Sequence, residues 1–234
     1  MVTLGLLHTS SAHVPVFDGL RDAHHPGVEL RHHVVESLLE RARSEGPEAV
    51  APDVRTALLR AAGAGAAAVL CTCSSIGGVA EAMGPEVGVP VLRVDRPMAA
   101  AAVAAGPRIV VLATVESTLG PTVALVEDEA RKAGREAEVR SVVVDGAWER
   151  FAAGDTEGCA ALVARAVSEV RDADAVVLAQ ASMAAAEDLV PSGSARVFSS
   201  PRVGLDAAVA AARGAGGGAL GGGAPVAGGV SGVL

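Results

Sequence analysis

Two cysteines one residue apart mark where an apolar run gives way to small hydroxyl residues and glycine: Val69-Leu70-Cys71-Thr72-Cys73-Ser74-Ser75-Ile76-Gly77-Gly78. Ala66 to Leu70 reads as a buried strand, and Ser74 or Ser75 as the N-cap of the following helix. A thiol at such a turn faces the unpaired N–H groups of a helix N-terminus. These favour a thiolate, and the same geometry binds carboxylates and phosphates. Cys71, inside the strand, reads as a small core residue. Cys73, at the turn, is the candidate for chemistry. Cys159 falls on an amphipathic helix and reads as core.

Parallel βα sheets carry function at the C-terminal ends of their strands. Those ends supply His8, Thr9, Ser10 and Ser11, then Cys73, Ser74 and Ser75, then Thr114, Ser117 and Thr118, and finally Gln180, Ala181 and Ser182. The set is a ring of hydroxyl donors around one thiol, able to hold a carboxylate or enediolate without a cation. Ser and Thr are also common in turns and caps. Their recurrence at matched positions in two halves of the chain favours a pocket. First and third strands are neighbours in a doubly wound sheet, so His8 can approach Cys73 and favour its thiolate, or simply cap a turn. His13, His24, His25, His32 and His33 are less promising; adjacent His32 and His33 point to opposite faces of a strand. Cys71-x-Cys73 is not a usual zinc spacing, and no metal is expected.

The elements that must position these residues alternate strand and helix. The first half reads as strands at Val2–His8, Val28–Val35, Ala66–Leu70 and Val89–Val94. Helices fall at Val16–Ala23, Pro47–Ala62, after Cys73 to Met83, and Pro97–Ala105. After Gly106-Pro107 the pattern returns: strands at Arg108–Thr114, Ala137–Val144, Ala173–Ala179 and Ala195–Phe198, and helices at Glu116–Ala133, Asp155–Val170 and Val203–Arg213. Leu4–Thr9 aligns with Ile109–Thr114, Val35–Arg41 with Val144–Arg150, Val69–Ser74 with Val177–Ser182, and Val91 with Val197, at offsets of 105 to 109 residues. An α/β fold of two pseudo-symmetric, doubly wound domains follows, each with a four-stranded parallel sheet. The expected division is 1–97 with a returning helix at 203–213, 98–202, and a flexible Gly/Ala-rich tail at 214–234.

Half of the 234 residues are apolar, but with three Phe, one Trp and no Tyr the core must be built of small side chains. The net charge of −8 and the lack of basic clusters or aromatic platforms exclude nucleic acid as a partner. No run suits a membrane span, and Met1-Val2-Thr3-Leu4-Gly5 does not read as a signal peptide. Three cysteines cannot all pair, and Cys71 and Cys73 are too close for an ordinary disulfide, so a reduced, cytoplasmic setting is expected. The glycines near the C-terminus are no dinucleotide fingerprint, and no phosphate loop is present. A homo-oligomer is left open.

Leu112-Ala113-Thr114 with Thr118, Cys73 on its strand-end turn, and the Val89-Pro90-Val91 strand resemble the aspartate/glutamate racemase superfamily, which includes hydantoin racemase, arylmalonate decarboxylase and maleate isomerase. The resemblance covers roughly residues 2 to 213. It implies two pseudo-symmetric domains, an interdomain active site and cofactor-independent chemistry on a small carboxylate. In the racemases each half supplies one cysteine. The first carries over onto Cys73; the second carries over onto Ala181, which has no thiol. Ser74, Ser75, Thr114 and Ser182 carry over as carboxylate binders, with Thr9, Ser10, Ser117, Thr118 and Gln180 around them. His8 departs from the acid or amide often found at that place. The expected function is therefore an isomerase of this superfamily working through one cysteine. An arylmalonate-decarboxylase-like lyase and an inactive carboxylate-binding protein are the alternatives.

Overall fold

Strand β1 (Val2–His8) is one of the two inner strands of the first sheet, and its buried segment from Leu4 to His8 shows why so many small residues are needed. A Cβ at Gly5 would lie 3.2 Å from Ala61 Cβ and 3.3 Å from Ala66 Cβ, so helix and sheet approach through methyl groups alone. The computed structural model describes residues 2–218. The first half continues with α1 (His13–His24), β2 (Val28–Val34), α2 (Ser37–Glu45), a 3-10 turn (Pro47–Val50), α3 (Ala51–Gly63) and β3 (Ala68–Cys71). It ends with α4 (Ser74–Ala82), α5 (Gly84–Val87), β4 (Val91–Arg93) and α6 (Arg96–Ala105). The second half has β5 (Arg108–Ala113), a 3-10 turn (Glu116–Thr118), α7 (Leu119–Lys132), β6 (Glu138–Val143), α8 (Ala147–Ala152) and α9 (Thr156–Glu169). It closes with β7 (Ala175–Leu178), a 3-10 stretch (Ala181–Leu189), β8 (Arg196–Phe198) and α10 (Pro201–Gly218).

The strands form two separate four-stranded sheets, ordered β2-β1-β3-β4 and β6-β5-β7-β8, with every pairing parallel. Helices pack on both faces of each sheet, as an all-parallel sheet requires, except at the edge strand β6, where Arg140, Ser141 and Val142 stay exposed. Leu7, Val69 and Cys71 meet Leu58 of α3 and Ile76 of α4; the other face of the first sheet, Leu4, Leu6 and Leu70, meets Phe17 of α1 and Leu205 and Val209 of α10. In the second sheet Ile109, Val111 and Val177 pack under α6 and α7, and Val110, Leu112 and Leu178 under α9. Gly204 lets α10 press onto the first sheet, because a Cβ there would collide with the Val94 backbone. Arg96, at the start of α6, bonds Glu81 of α4 and Asp128 and Glu129 of α7, tying the elements where the two sheets meet.

Two expectations need correction. The tail predicted from residue 214 begins inside α10, which runs on to Gly218 because the packed segment Leu205–Ala212 propagates beyond its last sheet contact; the remaining tail positions lie outside the described residues. The helix predicted from Glu116 starts instead at Leu119, after a 3-10 turn. Among the described residues no helix is long and apolar enough to cross a membrane.

Candidate active site

The C-terminal ends of β1, β3 and β7 face one another across a cleft enclosing about 450 Å³, part of it open to solvent. Cys73 sits in it as the N-cap of α4, in extended backbone (φ −112°, ψ 116°), 7 % exposed. The strand before it is buried on both faces, and Ser74 and Ser75 open the helix, so the thiol is delivered to the rim where first-turn N–H groups lack helical partners. Cys71 is fully buried below it. Burial, reinforced by Cys73, pushes its thiol pKa upward and keeps it protonated. Cys159 lies in the α9 core, its pKa likewise raised by burial.

The hydrogen-bond register of the two sheets gives the partner position on the opposite wall. Cys71 pairs with Leu7 in the first sheet and Leu178 with Leu112 in the second; Thr72 N–H donates to Leu7 and Ala179 N–H to Leu112. Thr72 therefore corresponds to Ala179, and Cys73 to Gln180 rather than to Ala181. Gln180 is likewise an extended N-cap (φ −127°, ψ 142°), here of the 3-10 stretch. Its side chain is occupied: Oε1 accepts from Thr114 N (2.7 Å) and Thr114 Oγ1 (2.9 Å). The expectation that Ala181 occupies the second cysteine's place is thus corrected by one residue, and the residue at that place is again not a thiol.

The sequence profile of the Asp/Glu/Hydantoin racemase family matches residues 7–210. The chain belongs to that family. Solved structures of similar fold include an aspartate racemase homologue from Pyrococcus horikoshii (TM-score 0.67, 16 % identity, covering 91 % of this chain and 100 % of that one). Arylmalonate decarboxylase is similar too (0.62, 22 %, 95 % and 94 %), as is a glutamate racemase from Bacillus anthracis (0.62, 15 %, 89 % and 81 %). No curated protein sequence matches significantly.

Within this racemase-family cleft the walls include Thr9, Ser10, Ser74, Ser75, Thr118, Gln180 and Ser182. Thr114 is not on the wall, because its hydroxyl is turned to Gln180, and Ser117 is exposed on the 3-10 turn. Ser74 is at the wall, but its hydroxyl donates to Ala179 O across the joint between the halves (2.8 Å). His8 is fully buried and lies behind the wall, its Nδ1 2.8 Å from Thr72 Oγ1 and its Nε2 2.8 Å from His32 Nδ1. Burial, with the neighbouring His32, lowers its pKa to about 3, so it is neutral at ordinary pH and brings no imidazolium to Cys73.

Residues absent from the sequence-based site complete the walls. Leu39 and Arg43 come from α2, and Trp148 and Phe151 from α8. Val35 N–H donates to His8 O and Val144 N–H to Ala113 O, so α2 and α8 leave equivalent strand ends. The Arg43 guanidinium stands 4.7 Å over the Trp148 ring. The cleft therefore holds a cation, contrary to the expectation of hydroxyl donors alone. Thr72 and His13 also line it. The internal alignment of Val35–Arg41 with Val144–Arg150 was the one signal that pointed to α2 and α8 as a pair. Among the described residues no three His, Cys, Asp or Glu side chains converge as a metal cage.

Proposed function

We propose that this racemase-family protein moves a proton on one face of the carbon that carries a small acid's carboxylate, using Cys73 alone. The carrying observation is the asymmetry of equivalent positions: a thiol at Cys73, and opposite it the Gln180 amide held by Thr114. An amide does not titrate, so the second face has no base of the kind a racemase needs. Ser75, Thr118 and Ser182, with Arg43, are the groups that would hold the carboxylate. Cys73 is the catalytic residue.

The apolar wall of Leu39, Trp148 and Phe151 favours an acid with an apolar substituent over free aspartate or glutamate. With a 2-aryl-2-methylmalonate as substrate, the C–C bond to one carboxylate breaks and carbon dioxide leaves. The electron pair stays as an enediolate, the Cys73 S–H protonates its carbon from one side, and the thiolate left behind takes a proton from solvent before the next turnover. Turnover in D2O, followed by NMR and chiral chromatography, should give one enantiomer deuterated at Cα. Cys73→Ala should abolish it, and L-aspartate and L-glutamate should keep their configuration. A racemic product, accumulation of D-amino acid, or turnover surviving in the variant would refute the proposal.

A further inference from the structure

Four side chains that the thiol chemistry leaves unused form a hydrogen-bonded line from the surface to the cleft wall. Asp18 of α1 lies 3.4 Å from His32 Nε2; His32 Nδ1 lies 2.8 Å from His8 Nε2; His8 Nδ1 lies 2.8 Å from Thr72 Oγ1. The two imidazole planes lie within 20° of each other with centroids 5.1 Å apart, end to end as the bond between them requires, and Phe17 packs beside His8 at 5.6 Å. Thr72 lines the cleft directly before Cys73, and its hydroxyl also reaches Leu7 O at 3.2 Å.

Each of these links holds one hydrogen, so the chain has only two consistent arrangements. Asp18 as a carboxylate only accepts. With His32 neutral, its hydrogen is on Nε2, facing Asp18. His32 Nδ1 then accepts from His8 Nε2–H, and His8 Nδ1 accepts from the Thr72 hydroxyl. With one more proton, His32 carries hydrogen on both nitrogens. His8 must then accept at Nε2 and donate from Nδ1, and the Thr72 hydrogen is released to Leu7 O or to the cleft.

We propose that Thr72, His8 and His32 form a proton relay between the cleft and Asp18, in which a proton on His32 swaps the tautomer of His8 and frees the Thr72 hydroxyl to meet a substrate carboxylate. A proton entering at Thr72 Oγ1 displaces that residue's own hydrogen onto His8 Nδ1. The hydrogen on His8 Nε2 passes to His32 Nδ1, and the net change is one proton taken from the cleft and held beside Asp18. His8 and His32 are positioning residues here, acting through Thr72. His8 itself never becomes an imidazolium, in keeping with its buried ring and lowered pKa. The groups facing His32 are His8 from β1, and Asp18 with its ion-pair partner Arg21 from α1. His33 is beside it on β2, with Arg60 of α3 acting on His33, and His13 acts on His8.

Only the final step, release of Thr72 to a carboxylate, rests on the function proposed above. The test is a long-range 1H–15N spectrum of the histidine-labelled full chain between about pH 5 and 9. As pH rises His8 should stay neutral and change from the Nδ1–H to the Nε2–H tautomer in step with the loss of the second ring hydrogen of His32 in the same spectrum. Asp18→Asn, whose amide can donate to His32 Nε2, should hold His8 as Nδ1–H across the range. A single His8 tautomer in the wild type, an imidazolium at His8, or a swap unchanged in Asp18→Asn would overturn the relay. Calorimetric titration with phenylacetate above the pH of the swap, in buffers of different ionisation enthalpy, should show uptake of one proton per ligand. Binding without uptake would overturn the coupling to Thr72. A tautomer swap without any phenylacetate binding would sustain the relay and sink the carboxylate reading of the cleft.

Discussion

Ser74→Ala separates a structural hydroxyl from a binding one. Family resemblance makes Ser74 a carboxylate donor, yet its hydrogen is given to Ala179 O, 2.8 Å away on the other side of the cleft. The residue is buried, so removing the hydroxyl leaves a carbonyl at the joint between the halves without that partner. Loss of a buried partner costs about 1–3 kcal/mol. In a chain of this size each kcal/mol moves Tm by about 2–4 °C, so a fall of several degrees is expected by differential scanning calorimetry. Because the hydrogen is already committed, KM for an aryl-methylmalonate should change less than about threefold, well under the roughly tenfold that a 1.4 kcal/mol loss of binding would give. A hydroxyl donating to a substrate carboxylate would instead be worth about 1.5–3 kcal/mol, or roughly 10- to 150-fold in KM. An unchanged Tm with a rise of that size would refute the reasoning and return Ser74 to the binding set.

Gln180→Cys, but not Ala181→Cys, should confer measurable racemisation of a chiral 2-substituted acid, read by chiral chromatography; gain in the Ala181 variant alone would show that the register-based equivalence is wrong. Iodoacetamide should modify Cys73 before Cys71 and Cys159, which are fully buried, and phenylacetate should slow it; peptide mass spectrometry reads the order. His8 contributes an acid-sensitive stability: its pKa falls from 6.5 in the unfolded chain to about 3 in the fold, so between those values the unfolded state binds the extra proton. The contribution is intact above pH 6.5 and declines by up to about 1.4 kcal/mol per pH unit as pH falls toward 3. Urea midpoints of His8→Gln should accordingly fall less between pH 7 and 5 than those of the wild type.

The two-sheet architecture was legible because the strand pattern recurs at nearly one offset, and the seam at Gly106-Pro107 separates the copies. The register of the third strands was not. Val176, Val177 and Leu178 are all buried, and in a strand covered on both faces a slip of one residue leaves the apolar pattern unchanged. Only the ladder bonds to Leu112 fix Gln180 opposite Cys73. Cys73 itself was legible from its turn. Trp148 and Phe151 were hidden because α8 is a six-residue helix whose N-cap, Gly146, has φ +74° and offers no side-chain capping bond. Arg43 was hidden because an exposed Arg on α2 gains its place only through a ring more than a hundred residues away. Thr114 was misplaced because nothing local says that its hydroxyl is spent on Gln180.

The seating of α10 has a consequence for how the chain is made. Leu4, Leu6 and Leu70 are synthesised well before the Leu205, Ala208, Val209 and Ala212 stripe that covers them, which follows the whole second sheet. The second sheet, with α6, α7 and α9 around it, can close while one face of the first still waits for its cover. That face closes through contacts spanning up to about 200 residues, and contacts of such sequence separation are the slow ones to form.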